Sequence, residues 1–289
     1  IPVKLYETIP FNKMHGLGND YVYIDTFATP VAEPERLAPR ISDRRRGVGG
    51  DGLVLIGPSD EADARMRIFN IDGSEAEMCG NAIRCVGKYL YESGRVRSAT
   101  LRIETLAGIR LLRLFIGGGR VGRVRVDMGR PSFLPADLPM NTAGLSFLHR
   151  GIEVDGKVWQ GTAVSVGNPH FVVPVDDPAA LDLERIGPLF EHHPLFPRRV
   201  NTEFVRVLAP DLIAMRVWER GSGETAACGT GACAVLAVCA ENGFSARVAT
   251  VRLPGGELTI EWDSDAILHM TGSAETVCAG EYILPSETR

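Results

Sequence analysis

Apolar and polar residues alternate along Arg65 to Asn70, with Met66 and Ile68 on one side and Arg67 and Phe69 on the other. Ile213 to Glu219 repeats the pattern. A period of two residues is the mark of a half-buried strand. Val121 to Met128 alternates as well and follows Gly117-Gly118-Gly119, a hairpin-turn signal. Tyr21 to Ile24, Val54 to Ile56, Leu101 to Glu104, Phe171 to Val175, Glu203 to Val207 and Val248 to Leu253 read as further strands. The short connections between them predict antiparallel hairpins rather than crossovers. Two segments read as helices, about Asn81 to Glu92, stopping near Gly94, and about Thr230 to Glu241, stopping near Gly243. The second is apolar all round from Ala232 to Ala240, which predicts a helix buried on every side. A buried helix among many short strands predicts a sheet wrapped around it.

That arrangement is expected twice. At an offset of 149 residues, Gly18-Asn19 falls on Gly167-Asn168, Met66-Arg67-Ile68-Phe69 on Met215-Arg216-Val217-Trp218, Glu75 on Glu224, and Cys79-Gly80 on Cys228-Gly229. Internal similarity at half the chain length predicts two related lobes. The expected lobes are 1–128 and 129–274. The boundary is read where a strand ends at Gly129 and prolines follow.

Composition narrows the function classes. A chain of 289 residues with 45% hydrophobic and 23% charged residues is an ordinary globular sequence with ample core. The net charge is −5, and Arg44-Arg45-Arg46 is the longest basic block, so no nucleic-acid partner is expected. No apolar run approaches the roughly 20 residues of a membrane span, so no membrane partner is expected. Residues 1–11 lack a signal-peptide pattern, although without an initiating Met a trimmed leader stays open. The six cysteines include no Cys-x-x-Cys, so neither a zinc site nor a disulfide framework is expected, and reduced thiols in a cytoplasmic compartment are. The four lysines sit in no Schiff-base setting, so pyridoxal phosphate is not expected.

The chemistry lies in the repeated Cys-Gly pair. Cys79 and Cys228 each stand just before the start of a helix, where unpaired N–H groups and the helix dipole stabilise an anion. A thiolate, normally formed near ~8.5, becomes more accessible there. The N–H groups of Gly80-Asn81 and Gly229-Thr230 can hold a ligand carboxylate, and the glycines let it approach the backbone. Two equivalent thiols, one per lobe, are expected to face each other across a cleft with an α-carbon between them. Proton removal is assisted because the same N–H groups stabilise the developing negative charge. The implied reaction is stereoinversion by 1,1-proton transfer, with no cofactor and no metal. A buried cysteine is more often core packing, the expected role of Cys85, Cys233, Cys239 and Cys278.

The segments Phe11 to Asp20, Phe69 to Glu75, Met78 to Cys85, Gly167-Asn168-Pro169-His170, Val200 to Phe204, Trp218 to Thr225, Ala227 to Ala232 and Met270-Thr271-Gly272 together resemble diaminopimelate epimerases, in that family's order over nearly the whole chain. The resemblance implies a mixed α/β fold of two pseudo-symmetric lobes, each a mainly antiparallel β-barrel wrapped around a central helix, with a C-terminal strand at 275–289 returning to the first lobe. It implies interconversion of LL- and meso-2,6-diaminopimelate in lysine and peptidoglycan precursor biosynthesis. Cys79 and Cys228 would be the proton-transfer pair, assisted by Glu219 and His170. Asn19, Asn70, Asn168, Asn201 and Arg220 would hold the substrate's amino and carboxylate groups, with Gly80, Asn81, Gly229, Thr230 and Glu219 beside them. Arg220 suits a distal carboxylate because its planar fork binds both oxygens. The partner implied is a small-molecule substrate, with a homodimer compatible and a cytoplasmic or, in a plant, plastid-stromal location. The chain departs from the family pattern at Gly52, where Gln is common, at Ala82, where Gly is common, and at Ser273, where Pro is usual.

Three alternatives stand beside this reading. A proline or hydroxyproline racemase of related fold also uses paired thiols, but usually has His where Asn81 stands and needs no distal anchor. A cysteine hydrolase pairing Cys228 with His170 would leave the second thiol unexplained. A non-catalytic anion-binding module would not need a thiol at both helix starts.

Overall fold

The computed structural model describes residues 7–142 and 144–284. The chain divides into two compact units, Ile1–Val126 with Ser273–Arg289, and Asp127–Gly272. The first contains β1 (Thr8–Gly16), β2 (Asn19–Asp25), α1 (Pro34–Ile41), β3 (Gly52–Gly57), β4 (Ala64–Asn70), β5 (Glu75–Ala76), α2 (Gly80–Glu92), β6 (Thr100–Thr105), β7 (Gly108–Gly117) and β8 (Arg120–Gly129). The second contains β9 (Arg150–Val154), β10 (Lys157–Ser165), β11 (Pro169–Pro174), α3 (Leu183–Glu191), β12 (Asn201–Ala209), β13 (Leu212–Glu219), β14 (Gly223–Glu224), α4 (Gly229–Glu241), β15 (Val248–Leu253), β16 (Gly256–Trp262) and β17 (Leu268–Ser273). The last strand, β18 (Glu275–Ile283), pairs antiparallel with β1 inside the first unit. Residues 285–289 of the expected returning strand lie outside the described residues.

The same wiring occurs in both units. In the first, β1 pairs antiparallel with β2, β2 parallel with β3, β3 antiparallel with β4, β4 parallel with β6, and β6 and β7 form hairpins onward to β8. In the second, β10, β11, β12, β13, β15, β16 and β17 follow the same sequence of pairings. The expectation of hairpins without crossovers is therefore corrected. Each unit has two parallel pairs, and a parallel pair needs a crossover connection. The crossovers run through α1 and α2 in one unit and through α3 and α4 in the other. Antiparallel pairing still predominates, and the fold is the mixed, sheet-dominated one expected.

Both long helices are packed among strands. α4 lies against β10, β11, β12, β15 and β16, and every residue from Gly231 to Cys239 is buried. α2 packs on β1, β2 and β7, and Gly87 is one reason it can: a Cβ there would lie 2.8 Å from the Leu112 side chain. The shorter α1 buries Leu37, Ala38 and Ile41 against Val22, Ile24, Leu53, Leu55 and Phe69. α3 buries Leu183, Ile186 and Phe190 in an aromatic core with Trp159, Phe171, Phe196, Phe204 and Trp218. Full burial of one such side chain contributes about 1.5–3 kcal/mol. The result is a rigid frame at the C-terminal ends of β4 and β13, where α2 and α4 begin.

Candidate active site

In the first unit the site is built on the start of α2. Cys79 is the helix N-cap in extended backbone, and it is partly exposed. Its Sγ donates to Asn19 Oδ1 at 3.5 Å and receives a hydrogen bond from Tyr21 Oη at 3.9 Å. Asn81 Nδ2 also donates to Asn19 Oδ1, at 3.2 Å. Asn19 cannot turn freely, because its Nδ2 donates to Asp51 Oδ2 at 2.7 Å and Asp51 is held by Arg44 at 2.8 Å. Behind the helix start, the fully buried Arg84 donates to Gly80 O and Asn81 Oδ1 from Nη1 and to Ser273 O from Nε. Gly16 makes room for it, since a Cβ there would stand 2.6 Å from Nη2. Asn70 ends β4 and donates to Ser74 Oγ at 3.0 Å, in the turn that follows.

In the second unit Cys228 occupies the matching N-cap of α4. It is 4% exposed. Its Sγ accepts from the N–H of Gly231 at 3.3 Å and lies 3.6 Å from Thr230 Oγ1. Sulfur here does what an N-cap oxygen does, satisfying an orphan donor of the first turn. Glu219, at the end of β13, accepts a short bond from Thr225 Oγ1, and its charge acts on the thiol. Burial raises the Glu219 carboxyl above its usual range. Burial, then the negative charges of Glu219 and Glu203, push the Cys228 thiol well above its usual value. The helix start was expected to make this thiolate more accessible; its N–H does lower the pKa, but desolvation and two carboxylates outweigh it. These surroundings favour the protonated form of the Cys228 thiol.

His170 is wholly buried, with Nδ1 2.6 Å from Glu203 Oε1 and Nε2 2.8 Å from Asn168 Oδ1. Asn168 in turn donates to Thr230 Oγ1 at 3.4 Å. His170 is thus linked to the start of α4 through Asn168 and Thr230. Asn201 spends both ends of its amide on the frame: Nδ2 donates to Pro169 O, and Oδ1 accepts from the backbone N–H of Arg220, each at 2.9 Å. It sets the loop that carries Arg220, whose Nη1 donates to Arg198 O at 3.3 Å. Gly80 and Gly229 are the first helical residues of α2 and α4.

Four neighbours were absent from the expected site. Tyr21 and Asp51 flank Cys79 and Asn19, while Thr225 and Glu203 flank Glu219 and Cys228. Glu203 carried a signal in the sequence: it is the one acidic residue from Val200 to Val207, in a segment read as a strand. It explains Gly231 as well, because a Cβ there would lie 2.9 Å from Glu203 Oε1. Residues 82 and 54 are the counterparts of 231 and 203 at the repeat offset, and there Ala82 and Val54 stand. A cavity of about 460 Å³ in the second unit, lined by Pro174, Val175, Val207, Cys239 and Phe244 among others, includes none of these site residues. Among the described residues, no three His, Cys, Asp or Glu side chains gather as metal ligands.

Comparison with known proteins agrees with this construction. In fold, the chain matches a phenazine biosynthesis protein of the PhzF family from Bacillus anthracis, at TM-score 0.70 and 21% identity, covering 96% of this chain and 100% of that one. It also matches a hydroxyproline epimerase from Agrobacterium vitis, at TM-score 0.71 and 16% identity, covering 98% and 94%. A paired-thiol frame of this kind, with curated epimerase relatives, defines an isomerase. The diaminopimelate epimerase family model matches residues 11–134 and 162–277. Diaminopimelate epimerases of Acetivibrio thermocellus and Desulfovibrio desulfuricans are 53% and 52% identical over 272 and 281 residues, covering 94% and 95% of this chain and 97% and 98% of theirs. The chain belongs to the diaminopimelate epimerase family.

Proposed function

We propose that this chain interconverts LL- and meso-2,6-diaminopimelate by transferring a proton to and from one α-carbon, with Cys79 and Cys228 as the acid–base pair. The observation that carries the reading is the recurrence of a thiol at the N-cap of the same helix in both units. In a two-base inversion one sulfur, as thiolate, removes the α-hydrogen while the other, as thiol, delivers a hydrogen to the opposite face. The different surroundings of the two sulfurs suit that division. Cys79 is partly exposed and hydrogen-bonds Asn19 and Tyr21, whereas Cys228 is buried beside acidic residues that favour its protonated form. The N–H groups at the starts of α2 and α4 would hold the reacting carboxylate and the charge that spreads onto it. Arg220 would anchor the distal carboxylate. Glu219, Asn168 and the remaining asparagines would position amino groups or the side chains that do so. The supply of diaminopimelate to lysine and peptidoglycan precursors follows from the activity, and a cytoplasmic homodimer is the setting proposed. No described helix is long and apolar enough to cross a membrane.

The experiment is inversion in deuterated water from one stereoisomer. The first product should carry deuterium at the inverted centre, while unreacted substrate initially keeps its hydrogen, because a thiol in a closed, dry site exchanges slowly. Product that retained the substrate's own α-hydrogen would indicate one base serving both faces and would refute the two-thiol scheme. α-Hydrogen exchange with proline but not diaminopimelate would move the assignment to the racemases.

A second expectation concerns Arg220→Ala. It should raise KM for diaminopimelate by about 10²-fold, the loss of a bidentate charged contact of roughly 2–3 kcal/mol. The rate of thiol alkylation by iodoacetamide should stay unchanged. Unaltered epimerisation kinetics would remove Arg220 from the substrate contacts.

A further inference from the structure

We propose that Tyr21 is a positioning residue for Cys79, its hydroxyl donating to the sulfur so that the thiolate form of Cys79 is held at the start of α2. The proposal rests on the epimerase reading above and adds a residue to it. Tyr21 lies on β2, is 7% exposed, and points its Oη at Cys79 Sγ from 3.9 Å. Gly52, its neighbour on β3, leaves the space for the ring: a Cβ there would stand 3.1 Å from Tyr21 Cε1 and 2.2 Å from the carbonyl oxygen of Phe69. No larger residue fits at position 52 with both neighbours in place.

The contacts of the sulfur serve both protonation states. As a thiol, Cys79 donates to Asn19 Oδ1 at 3.5 Å. As a thiolate, it needs a donor, and the Tyr21 hydroxyl is placed to supply one. Hydrogen bonding to the charged form favours that form. Burial raises the Tyr21 hydroxyl well above its ordinary value, so it keeps its proton across the working range. The other titratable groups near the pair are Asp51, which faces Tyr21, and Tyr23 and Cys85, which face Cys79 from β2 and α2. At the repeat offset Tyr21 corresponds to His170, which meets Glu203 and Asn168 instead. In the second unit the sulfur receives its donor from Gly231 N–H. The two units thus supply the same service from different places.

The test is Tyr21→Phe, which keeps the ring in the space beside Gly52 and removes only the hydroxyl. Iodoacetamide modification of Cys79, followed peptide by peptide from pH 6 to 10, should show its titration moved up by about one pH unit, a rate near neutral pH about tenfold lower. Cys228 modification should not change, and kcat should fall with KM nearly constant. If the phenylalanine variant fails to fold, 3-fluorotyrosine at position 21, a stronger acid of almost the same shape, decides the matter by moving the Cys79 titration down. A Cys79 titration unchanged by either replacement overturns the proposal. The alkylation readout needs no substrate, so a wild-type protein inert towards diaminopimelate would sink the epimerase reading and leave the Tyr21–Cys79 coupling separately measured.

Discussion

Cys228→Ala should lower epimerisation of diaminopimelate by about 10³-fold or more in both directions, and Cys79→Ala should do the same. In the proposed scheme each sulfur is base for one stereoisomer and acid for the other, so losing either stops the full cycle. The two variants differ in what survives. With Cys228 gone, Cys79 can still remove an α-hydrogen, and substrate of one configuration should exchange slowly with deuterated water without inverting. With Cys79 gone, the isomer of the other configuration should do so. Exchange measured by mass spectrometry separates the cases. Folding should be nearly intact in Cys79→Ala, because that side chain is partly exposed. Full inversion activity in either variant is incompatible with the mechanism.

Glu203→Ala should have the largest effect on stability. Glu203 is wholly buried, and its Oε1 is 2.6 Å from the Nδ1 of an equally buried His170. Removing it leaves the imidazole without that partner and opens a void beside Gly231. Losing one member of a buried hydrogen-bonded pair costs about 3 kcal/mol or more, a fall in Tm of roughly 6–12 °C for a unit of this size. Glu203→Gln keeps the shape and an acceptor oxygen, so thermal unfolding should shift by less. It also removes a charge that raises the Cys228 pKa. Iodoacetamide should then modify Cys228 faster near neutral pH in the Gln variant than in the parent. A Gln variant with unchanged Cys228 reactivity would show that burial and Glu219 govern that thiol without Glu203.

Much of the frame was legible because its signals are local. Alternation marked β4 and β13 nearly to their ends, since a strand with one face buried must alternate. The all-apolar run from Ala232 to Ala240 marked α4 because no solvent face exists there. α1 and α3 were not marked. They are 8 and 9 residues long and carry Pro39 and Pro188 inside, and an interior proline ordinarily argues against a helix. Packing on the sheet outweighs that local signal. The parallel pairings escaped for a related reason, because strand direction depends on where the intervening chain crosses and not on the strand's own pattern.

The thiols were legible through the repeat, which compares the chain with itself. Among the neighbours that tune them, His170 came only from the family resemblance, and Tyr21 and Glu203 were missed, because such positions differ between the copies. Glu203, His170 and Gly231 in one unit stand where Val54, Tyr21 and Ala82 stand in the other. A comparison that rewards identity passes over such positions. Asn201, which the family resemblance sets beside the substrate, also holds the frame, because its amide meets Pro169 O and the Arg220 N–H.

The pairing of β18 with β1 has a practical consequence. It sets Thr8 opposite Ile283, and Leu284 N–H donates to Glu7 O at 2.9 Å. A short linker can therefore join the two ends of the described chain without crossing the sheet. Opening the chain instead between Val126 and Asp127, where the units part, yields a circular permutant in which each unit is one unbroken stretch of polypeptide. The first unit, now assembled from both ends of the sequence, would no longer wait for the last strand to be synthesised before its sheet could close.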